Sequence, residues 1–140
     1  MKMKKILIGI GIIVLLLLCV YLVKNFTTND NEENSNEYSY TNETLSPVKV
    51  EFKAEIDVKQ NADGQYYIND AAYQKPMAIN IKEDSFQIDS TSAELIDSNK
   101  TYVVTVTGTF VKEGNYLGIK NVSAYYHLDT NTGKITASYM

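Results

Sequence analysis

The sequence predicts a mainly β protein: five or six antiparallel strands coiled into a small barrel, after one N-terminal transmembrane helix. Three observations carry this. First, Val48–Lys59 reads VKVEFKAEIDVK, twelve residues alternating apolar and charged without an error; a side-chain period of two is that of a strand with one dry and one wet face. Second, similar runs recur to the end of the chain, separated by Gly, Asn and Asp. Third, Ile6–Val23 is 18 residues without a charge or strongly polar group, which as a helix spans roughly 27 Å, enough for a bilayer core.

Taken in order, the first element is the anchor. Lys2, Lys4 and Lys5 precede the apolar run and acids follow it, so the positive-inside rule places the N-terminus in the cytoplasm and the remainder outside. Tyr21 falls where an interfacial aromatic is favoured. No small-residue cleavage pattern follows, since the exit reads VKNFTT. A lipoprotein anchored at Cys19 is the alternative, but Leu18 stands where such signals carry a small residue, and the apolar run continues to Val23. Residues 1–24 are therefore read as a signal anchor in the cell membrane, crossed once. Residues 25–47 hold five acids, no lysine and many Asn, Ser and Thr, too little apolar surface to offset the entropy of ordering. They read as a disordered tether with a mean span of roughly 25 Å. Within it EYSYTNE, with Tyr38 and Tyr40 between acids, has the look of a short docking segment.

Residues 48–140 form the extracytoplasmic domain. After Val48–Lys59, Asn61–Gly64 is a turn, Gln65–Asn69 a second strand and Met77–Glu83 a third, with Met77, Ile79 and Ile81 inward and Pro76 at its start. Phe86–Asn99 combines a short strand with a helical turn capped by Ser92. Thr101–Lys112 puts Tyr102, Val104, Val106 and Phe110 on one face and four threonines, broken by Val103, on the other; Gly108 in mid-strand marks a bulge or bend. Glu113–Asn115 turns the chain. Tyr116–Leu128 returns, with Leu117 and Ile119 inward, then Val122, Ala124, Tyr126 and Leu128, a phase change that places a bulge near Asn121. DTNTGK is a turn and ITASYM a last edge strand.

The run YVVTVTGTFVKEGNYLGIKNVSAYYHL resembles the late half of an OB-fold, and FKAEIDVKQNADGQYYIND resembles the first hairpin of such a barrel. The likeness covers about two-thirds of the domain, in the manner of small envelope proteins of low-GC Gram-positive bacteria, and lipocalin-like and other small barrels share the pattern. An OB-fold implies a barrel face that binds single strands or oligosaccharides.

Composition narrows the chemistry. The 13 basic residues are all lysine, so there is no guanidinium fork for bidentate phosphate capture. Residues 48–140 carry nine Lys against 12 acids, spread singly, which argues against nucleic acid. One Cys, in the apolar run, and one His leave no thiolate metal site and no nucleophile–base pair, and the acid pairs lack calcium-loop spacing; no enzyme, cofactor or metal is expected. What remains is a binding module. Its candidate contact residues are the tyrosines Tyr66, Tyr67, Tyr73, Tyr116 and Tyr125 with His127, on strands and beside loops. The expected partner is another envelope or membrane protein. A small-molecule or glycan-binding barrel is the alternative, and a conjugation or mobile-element accessory that touches nucleic acid is the third reading.

Overall fold

The computed structural model describes residues 36–140; the anchor expected at Ile6–Val23, and Cys19 with it, lie outside the described residues. Among the described residues no helix is long and apolar enough to cross a membrane. The domain is mainly β, with seven antiparallel strands: β1 (Glu37–Asn42), β2 (Lys49–Gln60), β3 (Tyr66–Ile79), β4 (Ser85–Ile96), β5 (Thr101–Lys112), β6 (Asn115–Leu128) and β7 (Ile135–Ser138). They make two sheets, β1-β2-β3 and β4-β5-β6-β7, whose inward residues share one core.

β2 behaves as its pattern dictates. Val48 and Val50, Phe52, Ala54 and Ile56 are at most 1 % exposed, and its charged residues face out. It is the central strand of its sheet, so the wet face is flanked on both sides. Glu37 reaches from β1 to Lys53 at 3.8 Å and accepts from Gln74 Nε2 of β3 at 2.9 Å, while Lys49 pairs with Glu43 at 2.7 Å. From the second sheet Phe86, Val104, Val106, Phe110, Val122, Ala124, Tyr126 and Leu128 close the core.

The expected closed barrel is replaced by two sheets, and both seams have a physical cause. At one seam β3 carries Pro76, which has no N–H to donate, beside a register shift opposite Phe52; among the described residues the one backbone bridge between β3 and β4 is the turn pair Ile81–Asp84. At the other, β7 has four residues and covers only Tyr125–Leu128 of β6. There a side chain substitutes for a ladder: buried Asn42 donates Nδ2–H to the Ser123 carbonyl at 2.9 Å, while its Oδ1 accepts from Thr44 N–H and Thr44 Oγ1 at 2.9 and 2.7 Å.

Several further expectations change. The domain begins at β1, inside the segment read as tether: Tyr38 and Tyr40 pack against the core from the edge of β2, so the docking segment docks on its own domain. The segments Gln65–Asn69 and Met77–Glu83 belong largely to one long strand, β3, with Pro76 inside it rather than before it. Ser85–Ile96 is strand throughout, with no helical turn at Ser92. Met77, Ile79 and Ile81 point outward, 60, 38 and 38 % exposed, because the shift between Glu51 and Lys53 reverses the phase and pairs Ala78, not Met77, with buried Val50. The β6 bulge falls earlier than Asn121, at Leu117–Gly118 opposite Phe110, with Gly118 at φ +92°. From Ile119 to His127 the register on β5 is unbroken, so Ile119 keeps the outward phase of Asn121 and Ser123 and stands exposed.

Gly108 has a packing reason. A Cβ there would run into the Gln87 carbonyl and the Phe86 ring, where β4 bulges past β5 between Ile88 and Ser90. Gly108→Ala is expected to cost about 1–3 kcal/mol by forced backbone displacement, read by urea unfolding; an unchanged midpoint would refute the close approach. Tyr126 is 0 % exposed and its hydroxyl has no partner among the described residues. Burial, then the nearby Tyr102, raises its pKa. A phenol whose folded pKa is raised contributes stability that is whole below the unfolded value, near 10, and is lost as pH rises through the folded value. Tyr126→Phe removes both the orphaned hydroxyl and this titration. It should therefore stabilise by about 1 kcal/mol at neutral pH and flatten the fall in stability above about pH 10; thermal melts across pH 7–11 measure both.

Candidate functional site

The strand directions give the domain two ends. One holds the β3–β4 turn, the β5–β6 turn and the β1–β2 connection. The other holds the β2–β3, β4–β5 and β6–β7 turns. They differ in chemistry.

At the first end two hairpin tips are tied together. The Gly114 N–H donates to the Glu83 carbonyl at 3.4 Å and the Glu113 N–H to Asp84 Oδ1 at 2.7 Å. The same end of the strands carries exposed Met77, Ile79 and Ile81 in β3 and its turn, and Tyr116, Leu117 and Ile119 in β6, the last three 66, 47 and 65 % exposed. Six of the eleven exposed large hydrophobics among the described residues lie here. Exposed apolar residues are ordinary singly and informative when grouped.

The second end is polar. Asp97, Ser98 and Asn99 of the β4–β5 turn are left-handed in succession, at φ +56°, +54° and +61°, and none is glycine. That conformation costs L-residues roughly 1–2 kcal/mol each, least for Asn and Asp. Backbone bonds to both sheets hold it: Asn99 O accepts from Ile68 N–H of β3 at 3.1 Å, and Lys100 O from Leu128 N–H of β6 at 2.8 Å. Two depressions of about 490 and 450 Å³ adjoin this turn, and Asp97 and His127 line both. His127 Nδ1 is hydrogen-bonded to Thr101 Oγ1 at 2.9 Å, and Nε2 has no partner among the described residues. The Thr101 contact opens a cross-strand row on the outer face of β5 that continues through Thr105–Ser123 and Thr107–Asn121, both 2.8 Å. Asp129 lies beyond His127, but its carboxylate closes the β6–β7 turn instead, accepting from Asn131 and Thr132 N–H at 2.8 and 3.2 Å. Those two bonds hold its pKa below the usual carboxylate value, helped slightly by His127.

Of the six residues singled out in the sequence, the fold brings only Tyr125 and His127 together, on the outer face of β6. Tyr66 opens β3, donates its N–H to Thr130 O at 2.9 Å and packs its ring on Gly133. Tyr67 is half-buried opposite Lys59. Tyr73 stands at the β3 edge, 39 % exposed, beside Tyr102. Tyr116 is at the tips. Sequence reasoning missed Asp97, Lys100 and the outward aliphatics. The run Asp97–Asn99, three residues that tolerate positive φ, was the readable signal for the strained turn.

Among the described residues no group of three or more His, Cys, Asp or Glu is arranged to hold a metal ion. Gly133 sits at φ +75°, and a Cβ there would come within 2.9–3.1 Å of the Tyr66 ring. Gly133→Ala should destabilise the domain by more than about 1 kcal/mol and broaden the amide signals of the β6–β7 turn; a stability equal to the parent would show that Tyr66 does not lean on this turn. In comparison with known proteins, no family model, no curated protein and no solved structure matches the chain.

Proposed function

We propose that the protein is a membrane-anchored, extracytoplasmic interaction module, and that the paired hairpin tips are where it meets another envelope or membrane protein. The observation that carries this reading is that Met77, Ile79, Ile81, Tyr116, Leu117 and Ile119 all stand exposed toward one end of the domain. Their exposure brings no evident gain to the fold, and apolar groups rimmed by charge are the usual core of a protein–protein contact. Lys82, Glu83, Lys112 and Glu113 supply a rim of both signs, which suits a protein surface of mixed charge better than a polyanion. The anchor read in Ile6–Val23 supports the location, and attachment to the bilayer raises the effective concentration of a partner held in the same membrane.

Replacing Met77 and Ile119 together by Glu should leave stability within about 0.5 kcal/mol, because both side chains are mostly in water. A photo-crosslinking residue placed at Ile119 of the full chain in intact cells is expected to give one discrete protein adduct, lost on Met77→Glu. The same group at Ser92, exposed on the outer face of β4, should give none. No adduct at Ile119, or identical adducts at both positions, would refute the tips as the contact.

A further inference from the structure

We infer that the cleft at the opposite end, around His127, is a second and separate binding site, whose ligand is a neutral saccharide. It does not depend on the hairpin tips, which lie at the other end of every strand.

Two adjoining depressions share the walls formed by His127 and Asp97, so the region has two halves. One half is apolar: Ile96, Tyr125 and Met140 line it. The other half carries two carboxylates and two ammonium groups, Asp97, Asp129, Lys100 and Lys134. That balance decides the ligand class. Two charges of each sign cancel, so the lining has no net charge with which to select an anion or a cation. A hydroxyl group is served by both, since it donates to a carboxylate while accepting from an ammonium or an imidazole N–H. Several hydroxyls on an uncharged ring therefore use the whole polar half. The apolar half then takes the ring's C–H face, with Tyr125 as the platform: an aromatic side chain with an apolar body and a wet end.

The fixed geometry favours the same reading. His127 is held by the buried Thr101, 6 % exposed. Tyr125 lies opposite Val103, which is also only 6 % exposed although it is on the outer face. Asp97 is set by a turn bonded to both sheets. These groups are ordered before a ligand arrives, which lowers the entropy lost on binding. The left-handed run at Asp97–Asn99 then has a use, since it is the backbone conformation that carries Asp97 to the wall the two depressions share.

The test is saturation-transfer NMR on the full chain in detergent. The probes are neutral hexasaccharides of glucose and of N-acetylglucosamine, with an anionic hexagalacturonate as comparator. Transfer to the ring protons of a neutral hexasaccharide is expected. It should weaken at least tenfold in Tyr125→Ala and in Asp97→Gly, and persist in Tyr67→Ala. Asp97→Gly is informative because glycine adopts φ +56° without strain, so the turn is kept while the carboxylate is lost; its melting temperature should be no lower than the parent's. Transfer to the anionic hexamer alone, no transfer to any neutral probe by folded protein, or transfer untouched by both cleft variants would each overturn the saccharide site.

Discussion

The domain depends on one constraint: the dry face of β2 must be covered on the side away from its own sheet. Val48, Val50, Phe52, Ala54 and Ile56 are nearly inaccessible to water, and β1 and β3 cannot bury them because they lie beside β2, not above it. The cover comes from the inward rows of β5 and β6, with Phe86 of β4. Burying such side chains is the dominant favourable term in folding, so the second sheet is fixed opposite the first. Backbone bonds from Tyr66 to Thr130 and from Ile68 to Asn99 then tie the sheets at one end. Asn42 ties β1 to β6 near the other.

Where alternation is strict, the sequence is legible. β2 follows its pattern through Ile56, and β5 puts Tyr102, Val104, Val106 and Phe110 inside as its spacing requires. Legibility fails at bulges, because one extra residue moves every following side chain to the other face. That is how Met77 and Ile79 came to be expected in the core and stand in water, while Ile119 stands in water because the bulge expected near Asn121 falls before it instead. It fails again for β1, whose polar composition looks disordered taken alone. EYSYTN becomes a strand because β2 offers it an edge, and because two tyrosines reach the core margin. Strand pairing with a distant segment is invisible to local composition. Closure into a barrel was the remaining expectation, and it turned on features no pattern advertises: a proline inside an edge strand and a last strand of only four residues.

The same bulges separate the two surfaces. The shift of β3 opposite Phe52 and that of β6 opposite Phe110 both lie toward the hairpin tips, where Met77, Ile79, Tyr116 and Leu117 stand exposed, while Val122, Ala124, Tyr126 and Leu128 of β6 keep an unbroken core face. At the opposite end β6 remains in phase with β5, which sets Tyr125 and His127 on the outer face beside Val103 and Thr101. One set of strands thus presents an apolar end and a polar cleft, each suited to a different kind of contact. The tyrosines divide accordingly: Tyr116 belongs to the first, Tyr125 to the second, and Tyr66 to the packing between sheets.

The central claim is that the register turns the aliphatic residues near the hairpin tips outward, Met77 by the phase reversal of β3 and Ile119 by the unbroken alternation of β6. A soluble paramagnetic agent tests it most directly, through the relaxation it adds to methyl signals of the labelled protein. The account predicts strong enhancement for Met77 and Ile119, approaching that of Met140, which is 94 % exposed, and almost none for Ile56 and Val50. Methyl groups of Met77 and Ile119 as shielded as that of Ile56 would contradict it, and would return both residues to the core.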